Sequence, residues 1–372
     1  MRKRIDLERV RRVVIKVGSS TITTESGRID HKNLVEQCAW LVRSGRHVVV
    51  VTSAAIAAGV EALGLKERPT SMPELQAAAS VGQGMLLHEY AKRFAEEGLK
   101  VGQVLLTQHD ITHRQQYLNA RNALRAVLEF GAVPIVNEND ATAVDEIKFG
   151  DNDLLAALVA NIVEADLLVL LSDVDGLYSC DPKLREGACL IDVVEEITPE
   201  VEELAGGAGT RFGSGGMFTK VQAAKVAAYG GIGMIITKGR KTDVVKELFS
   251  GAKLGTEFLP SKKALDGKRL WIAFGKMASG TVMVDQGAKR ALTEGGKSLL
   301  PAGVTAVEGE FSEGDAVNIA DPDGKVFAKG LTNYSSEEVE RIKGLRSEQL
   351  LEKLPSAESD EVIHRDYLVI FR

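Results

Sequence analysis

Up to about residue 260 the chain alternates two apolar patterns, and beyond it changes to a third. Short unbroken runs rich in Val, Ile and Leu occur at 13–17, 47–51, 101–106, 132–136, 167–171 and 233–237. Runs of that length without alternation predict strands buried on both faces. Between them lie stretches with helical spacing at 31–44, 73–97, about 114–130, 154–163 and 217–229. Gly45 and Gly98 stand where helix C-termini favour glycine. Strands alternating with helices predict an α/β fold: a mostly parallel sheet sandwiched by helices. From residue 268 on, short strands punctuated by glycine (RLWIAF, GTVMVD, DAVNIAD, KVFAKG) predict a small C-terminal β-rich domain. The expected division is an α/β domain over 1–260, a linker over 261–279 around PSKKALDG, a β-rich domain over 280–357 and a tail over 358–372 whose YLVIF end packs back on a domain.

The densest stretch of the pattern is 150–178, GDNDLLAALVANIVEADLLVLLSDVDGLY. Asp151, Asn152 and Asp153 open it, residues that cap helices and place charge at a first turn. An apolar helix and a buried strand follow, and the strand exits into Ser172-Asp173. Asn161, Glu164 and Asp166 interrupt the run, so it reads as a buried helix–strand pair rather than a membrane span. Parallel sheets bind ligands at the carboxyl ends of their strands. Here those ends carry Gly18, Ser53, the set Asn137 to Asp140, and Asp173.

Composition changes this picture little: 44% hydrophobic, 26% charged and 5% aromatic over 372 residues suit a soluble globular chain of two or three domains. A formal charge of −6 argues against a broadly basic nucleic-acid surface. Cys38, Cys180 and Cys189 form no CxxC pair, and a buried inert thiol is expected for each. The N-terminal MRKRIDLERVRR lacks an apolar core for a secretory signal. A cytoplasmic protein without membrane contact is the expectation.

Candidate chemistry comes in three groups. Gly213-Ser214-Gly215-Gly216-Met217-Phe218-Thr219-Lys220 enters a helix, and its backbone N–H groups suit an anion, with Lys220 reaching over it; a flexible loop with an exposed lysine is the equal alternative. Lys16 interrupts an apolar strand beside Gly18 and two serines, which suits a phosphate site, against an edge strand with the lysine in solvent. Asn137, Asn139, Asp140, Asn152 and their acidic neighbours suit Mg²⁺, an ammonium group, or plain helix capping. Gly295 to Ser298 and His364 to Asp366 echo a Walker loop and a kinase catalytic loop without the surrounding context.

In their order, VVIKVGSS, VVTSAAIAAG, LNARNAL, VPIVNENDA, FGDNDLLAA, LLSDVDGLYSCDP and GSGGMFTK resemble the amino acid kinase family over about residues 10–260. Within it the match is to the branch that phosphorylates glutamate. GDAVNIADPDGK and AKGLTNYSSEEVERIKG resemble a PUA domain, which that branch often carries. The resemblance implies an ATP- and Mg²⁺-dependent transfer of phosphate to the γ-carboxylate of L-glutamate, the first step of proline biosynthesis. It implies ATP contacts at Lys16, Ser172, Asp173 and the run Ser214, Gly215, Gly216, Met217, Phe218, Thr219 and Lys220, beside which Gly18 is a candidate from its place in the turn after the first strand. It places glutamate on Ser53, Asp140 and Asn152; Asn137 is a further candidate because its amide suits an α-amino acid, and Ala54 because it adjoins Ser53. Lys16 and Lys220 then neutralise the transferred group and Asp153 orients them. Ala54 departs from the family, which usually has glycine there. Proline as inhibitor, a glutamyl phosphate reductase as partner and a homo-oligomer are implied as well. Acetylglutamate kinase and aspartokinase remain alternatives, as does an RNA-binding protein acting through the second domain, although the charge and the lack of an aromatic platform weigh against the last.

Overall fold

The computed structural model describes residues 4–18, 21, 31–107, 110–111, 113–142, 152–180, 187–206, 216–262, 264–265, 267–275, 278–346, 349–350, 353–354 and 359–371. It divides into two units, Met1–Leu265 and Asp266–Arg372. The first contains β1 (Arg12–Val17), α1 (Lys32–Arg43), β2 (His47–Val51), α2 (Ala55–Ala62), α3 (Met72–Glu96), β3 (Val101–Leu106), α4 (Arg114–Glu129) and β4 (Val133–Glu138). It continues with α5 (Asn152–Ile162), β5 (Leu167–Ser172), β6 (Val193–Val194), α6 (Pro199–Leu204), α7 (Met217–Tyr229), β7 (Gly233–Lys238), α8 (Val244–Phe249) and β8 (Thr256–Phe258). The eight strands form one sheet in the order β3-β4-β2-β1-β5-β7-β8-β6. Every pairing is parallel except β7 with β8.

Unbroken apolar runs became central strands for the expected reason: β4 and β5 are buried along their whole length. One face of β1 puts Val13, Ile15 and Val17 into a core with Val50, Ile135, Val169, Tyr90 and Phe94. With β2 on one side of β1 and β5 on the other, the strand order reverses at β1, and the crevice at its carboxyl end is where such sheets take ligands. Strand β4 runs two residues beyond the expected 136, so Asn137 and Glu138 belong to it. Helix α2 was not expected. Its sequence AIAAGVEA is apolar nearly all round and lacks a polar face to mark a helical period.

Helices α2 and α3 pack almost backbone to backbone. A Cβ at Gly59 would overlap the carbonyl of Ala78, and one at Gly82 would overlap the carbonyl of Ala55 and the amide of Gly59. Only glycine allows that approach, and it sets α3 directly behind the turn that follows β2.

The second unit contains α9 (Gly267–Leu270) with a π-helical continuation Trp271–Gly275, β9 (Ala278–Val284), α10 (Gln286–Thr293), β10 (Val304–Gly309), β11 (Ala316–Ala320), β12 (Val326–Leu331), α11 (Ser336–Ile342) and β13 (Leu368–Ile370). Its sheet runs β10-β9-β11-β12-β13 around a core of Val282, Val284, Leu292, Phe311 and Ile319. Residues 261–279, expected as a linker, thus carry helical turns and the start of β9. The tail's Leu368–Ile370 pairs antiparallel with β12 as an edge strand of this unit. Of the three thiols only Cys38 is buried, where desolvation pushes it up to about 12; Cys180 is half-buried and Cys189 exposed, contrary to expectation. Among the described residues no helix is long and apolar enough to cross a membrane.

Gly82→Ala should force the α2–α3 contact apart and cost roughly 1–3 kcal/mol or more, read as a lowered melting temperature. Gly84→Ala is the control. It lies on the same helix, and a methyl group there would meet nothing within 4 Å, so it should be neutral or stabilising by about 0.5–1 kcal/mol.

Candidate active site

Lys16 lies on the face of β1 opposite Val13, Ile15 and Val17, because side chains alternate along a strand. That face meets α5, whose first turn carries Asp153. The Lys16 Nζ is 2.5 Å from Asp153 Oδ1, and Lys220 Nζ, from the first turn of α7, is 3.0 Å from Asp153 Oδ2. Lys16 is 3% exposed, Asp153 0% and Lys220 6%, so this is a buried charge cluster, not a surface bridge. The edge-strand alternative for Lys16 is thereby excluded, as is an exposed Lys220. Two ammonium groups face one carboxylate, leaving a net positive charge among the three. Thr219 Oγ1 donates its one proton to the Gly216 carbonyl at 2.8 Å and lies 3.4 Å from Asp153 Oδ2, setting the start of α7 beside α5.

Next to Asp153 the polarity changes from charges to amides. Asn152 Nδ2 donates to the Thr52 carbonyl, to Ser53 Oγ at 3.0 Å and to Asn137 Oδ1 at 2.8 Å. Asn137 Nδ2 donates in turn to Gln83 Oε1 at 2.7 Å. Behind this chain, the Thr52 hydroxyl and the Tyr90 hydroxyl are 2.9 Å apart, and the Tyr90 ring stacks on His31 with centroids 4.0 Å apart. Burial raises the Tyr90 phenol well above its usual range, so it stays a neutral hydrogen-bonding group. Four elements, β2, α3, β4 and α5, therefore meet in one polar network. Asp140 follows β4 and is half-buried beside it in sequence.

At the end of β5, buried Ser172 donates to Asp173 Oδ1 at 3.0 Å, and Asp173 itself is exposed. The Gly18 amide donates to the Leu171 carbonyl at 3.5 Å, tying the turn after β1 to β5. Gly216, Met217, Phe218 and Thr219 form the N-terminal end of α7, with no side chain capping it. Ser214 and Gly215 lie outside the described residues, as does Asp151. Beyond β5 and β7 opens a cavity of about 460 Å³ lined by Asp175, Tyr178, Lys238, Arg240, Lys241 and Lys253 among others. Four cationic side chains at strand ends suit an anionic ligand. Sequence patterns single out neither Lys238, Arg240, Lys241 and Lys253 nor Gln83 and Tyr90, and mark Thr52 only as part of the turn after β2. For Gln83 a signal existed: Gly82-Gln83-Gly84 is an unfavourable insertion in a long helix and marks a place where packing or binding overrides propensity.

The sequence signature of the amino acid kinase family matches residues 11–238, and that of the PUA domain residues 280–354. A glutamate 5-kinase from Thermoanaerobacter sp. (strain X514) is 49% identical over 362 residues, covering 96% of this chain and 97% of that protein. One from Moorella thermoacetica is 47% identical over 370 residues, covering 99% and 98%. Among solved structures, a UMP kinase from Bacillus anthracis aligns with 68% of this chain and 96% of its own at 14% identity, with a TM-score of 0.46.

Ala54 precedes α2 with φ 82° and ψ 11°, in the left-handed region. The position thus takes the positive φ that glycine tolerates best, and the methyl group stores roughly 1–2 kcal/mol of strain. Ala54→Gly removes that strain but frees the unfolded chain by about 0.4–1 kcal/mol. The expected net gain is about 0.5–1 kcal/mol, measured as a raised denaturant midpoint with unchanged slope. A destabilised glycine variant would mean that the turn holds its alanine without strain.

Proposed function

This chain belongs to the amino acid kinase family, and on that premise we propose that it phosphorylates the γ-carboxylate of L-glutamate from ATP to give L-glutamyl 5-phosphate, the first step of proline biosynthesis. The observation that carries the reading is the buried pair of lysines on Asp153 directly beside an amide network. The acceptor carboxylate is already ionised at neutral pH, so no general base is needed. The barrier is the approach of two anions, and what lowers it is positive charge and alignment.

Lys16 and Lys220 supply that charge to the transferred phosphoryl group, with Asp153 holding both in place. Gly18, Ser172, Asp173 and the start of α7 hold the nucleotide, along with Ser214 and Gly215 by resemblance. The cavity at the end of β7, with its four cationic side chains, offers further positive charge for an anionic ligand. Ser53, Ala54, Asn137 and Asn152 grip the amino acid, and Asp140 takes its ammonium group. Among the described residues no three acidic, His or Cys side chains converge as a metal cage, and the Asp153 carboxylate is engaged by lysines. Mg²⁺ therefore fits as an ion carried on the ATP phosphates, the way it commonly reaches kinases, where it supplies further neutralising charge. By the same family likeness we propose a cytoplasmic homo-oligomer, inhibited by proline, whose labile product passes to a glutamyl phosphate reductase. Nucleic-acid binding by the second unit has no support beyond the PUA likeness.

Incubation with ATP, Mg²⁺ and hydroxylamine should give a hydroxamate from glutamate and little from aspartate or acetylglutamate. The opposite preference would move the protein to a sister activity. Lys16→Ala and Lys220→Ala should each lower kcat by at least ~10²-fold, the scale of losing one preorganised charge. Asn152→Ala and Asp140→Ala should raise KM for glutamate far more than KM for ATP. A chain ending at Leu265 should keep measurable hydroxamate formation; a folded but inactive truncation would assign the second unit a part in the site.

A further inference from the structure

The amide chain beside Asp153 has a direction that its hydrogen bonds impose. The Thr52 carbonyl can only accept, so the Asn152 group facing it is the NH₂. That NH₂ also faces Asn137 Oδ1, which leaves the Asn137 NH₂ to donate to Gln83 Oε1. The Gln83 NH₂ must then point out of the chain. Its Nε2 is buried and meets no hydrogen-bond acceptor among the described residues. A buried amide donor left without an acceptor is costly and uncommon in folded proteins.

Position says what the acceptor is. Along the network the order is Lys220, Asp153, its chain neighbour Asn152, Asn137 and Gln83. The lysines mark the end where phosphate transfers, so the reacting carboxylate of the acceptor lies there. Gln83 stands at the other end. Its helix is held close by the glycine contact at Gly82, so the amide is placed by rigid packing rather than by a flexible loop. We propose that Gln83 Nε2 donates to the α-carboxylate of the amino-acid substrate, making Gln83 a specificity-determining residue that rejects acids lacking that group. This rests on the glutamate-kinase reading above.

Two substitutions separate donation to substrate from mere support of Asn137. Gln83→Glu keeps, and strengthens, the acceptor for Asn137 but replaces the donor with an anion. Gln83→Met keeps the length and removes both. Donation to a carboxylate predicts that KM for glutamate rises ~10-fold or more in the methionine variant and further in the glutamate variant. KM for ATP and kcat should stay within about threefold of wild type, since hydrogen bonds equal in ground and transition states act on KM alone. A glutamate variant with wild-type KM beside a damaged methionine variant would overturn the proposal and leave Gln83 a support for Asn137. Should the glutamate variant not fold, Gln83→Met decides through 4-aminobutyrate, which lacks the α-carboxylate, as a competitive inhibitor. An inhibition constant unchanged while glutamate KM rises supports the proposal, and a parallel rise in both overturns it. Wild-type protein that forms no hydroxamate from glutamate would instead sink the kinase reading itself.

Discussion

The buried Lys16–Asp153–Lys220 cluster is the constraint to which the first unit is built. Removing even one such charge from water costs several kcal/mol, and only close pairing returns it. Each partner comes from a different element: a central strand, the first turn of α5 and the first turn of α7. The contacts of 2.5 and 3.0 Å therefore fix the angle at which both helices cross the sheet end. Those helix starts are also where backbone N–H groups lack partners within the helix. One ionic cluster thus aims two helix N-termini, each a favourable place for negative charge, at one crevice.

The end of the site proposed for the amino acid is built from amides for a complementary reason. An amide can donate and accept at once, so a chain of them transmits orientation from one residue to the next without adding charge. Three acceptors surround the two N–H groups of Asn152 Nδ2. One of them is always under-served, and Ser53 Oγ, at 3.0 Å and half-exposed in the turn after β2, is the one able to turn toward a ligand. The strained Ala54 follows in the same turn. Backbone strain and an over-subscribed donor thus coincide in the turn that the proposed reading assigns to the substrate.

Much of this was legible because the sheet is parallel. Strands covered on both faces must be continuously apolar, so β1, β2, β5 and β7 announced themselves, and a lysine inside one of them was conspicuous. Lys16 and Asp153 were found for that reason and through the family motifs. What escaped had no comparable contrast. Helix α2 is too apolar to display a face, and β6 and β8 are two and three residues long. Gln83 sits in a helix where glutamine is usually a solvated residue; only the flanking glycines set it apart. Lys238, Arg240, Lys241 and Lys253 are spread over sixteen positions and are gathered by the fold, so no local pattern could join them. The boundary between the two units, after Leu265, falls inside PSKKALDG, whose composition is that of a loop, whereas the helical turns directly after it had no contrast to mark them.

Why a site that needs positive charge should keep a carboxylate between its two lysines follows from the same electrostatics. The two contacts hold the ammonium groups within about 8 Å of each other, where at an effective dielectric of about 20 they would repel by roughly 2 kcal/mol. Both are also nearly cut off from water. Without Asp153 this unit would have to hold two buried, mutually repelling cations, a cost that opening to solvent would relieve. A second carboxylate would err the other way and cancel the charge that attracts phosphate. With one, both lysines are held in position by it, and charge fixed in advance leaves little reorganisation to be done during transfer. Asp153 is thus as necessary to the positive field as the lysines are, although its own charge opposes it.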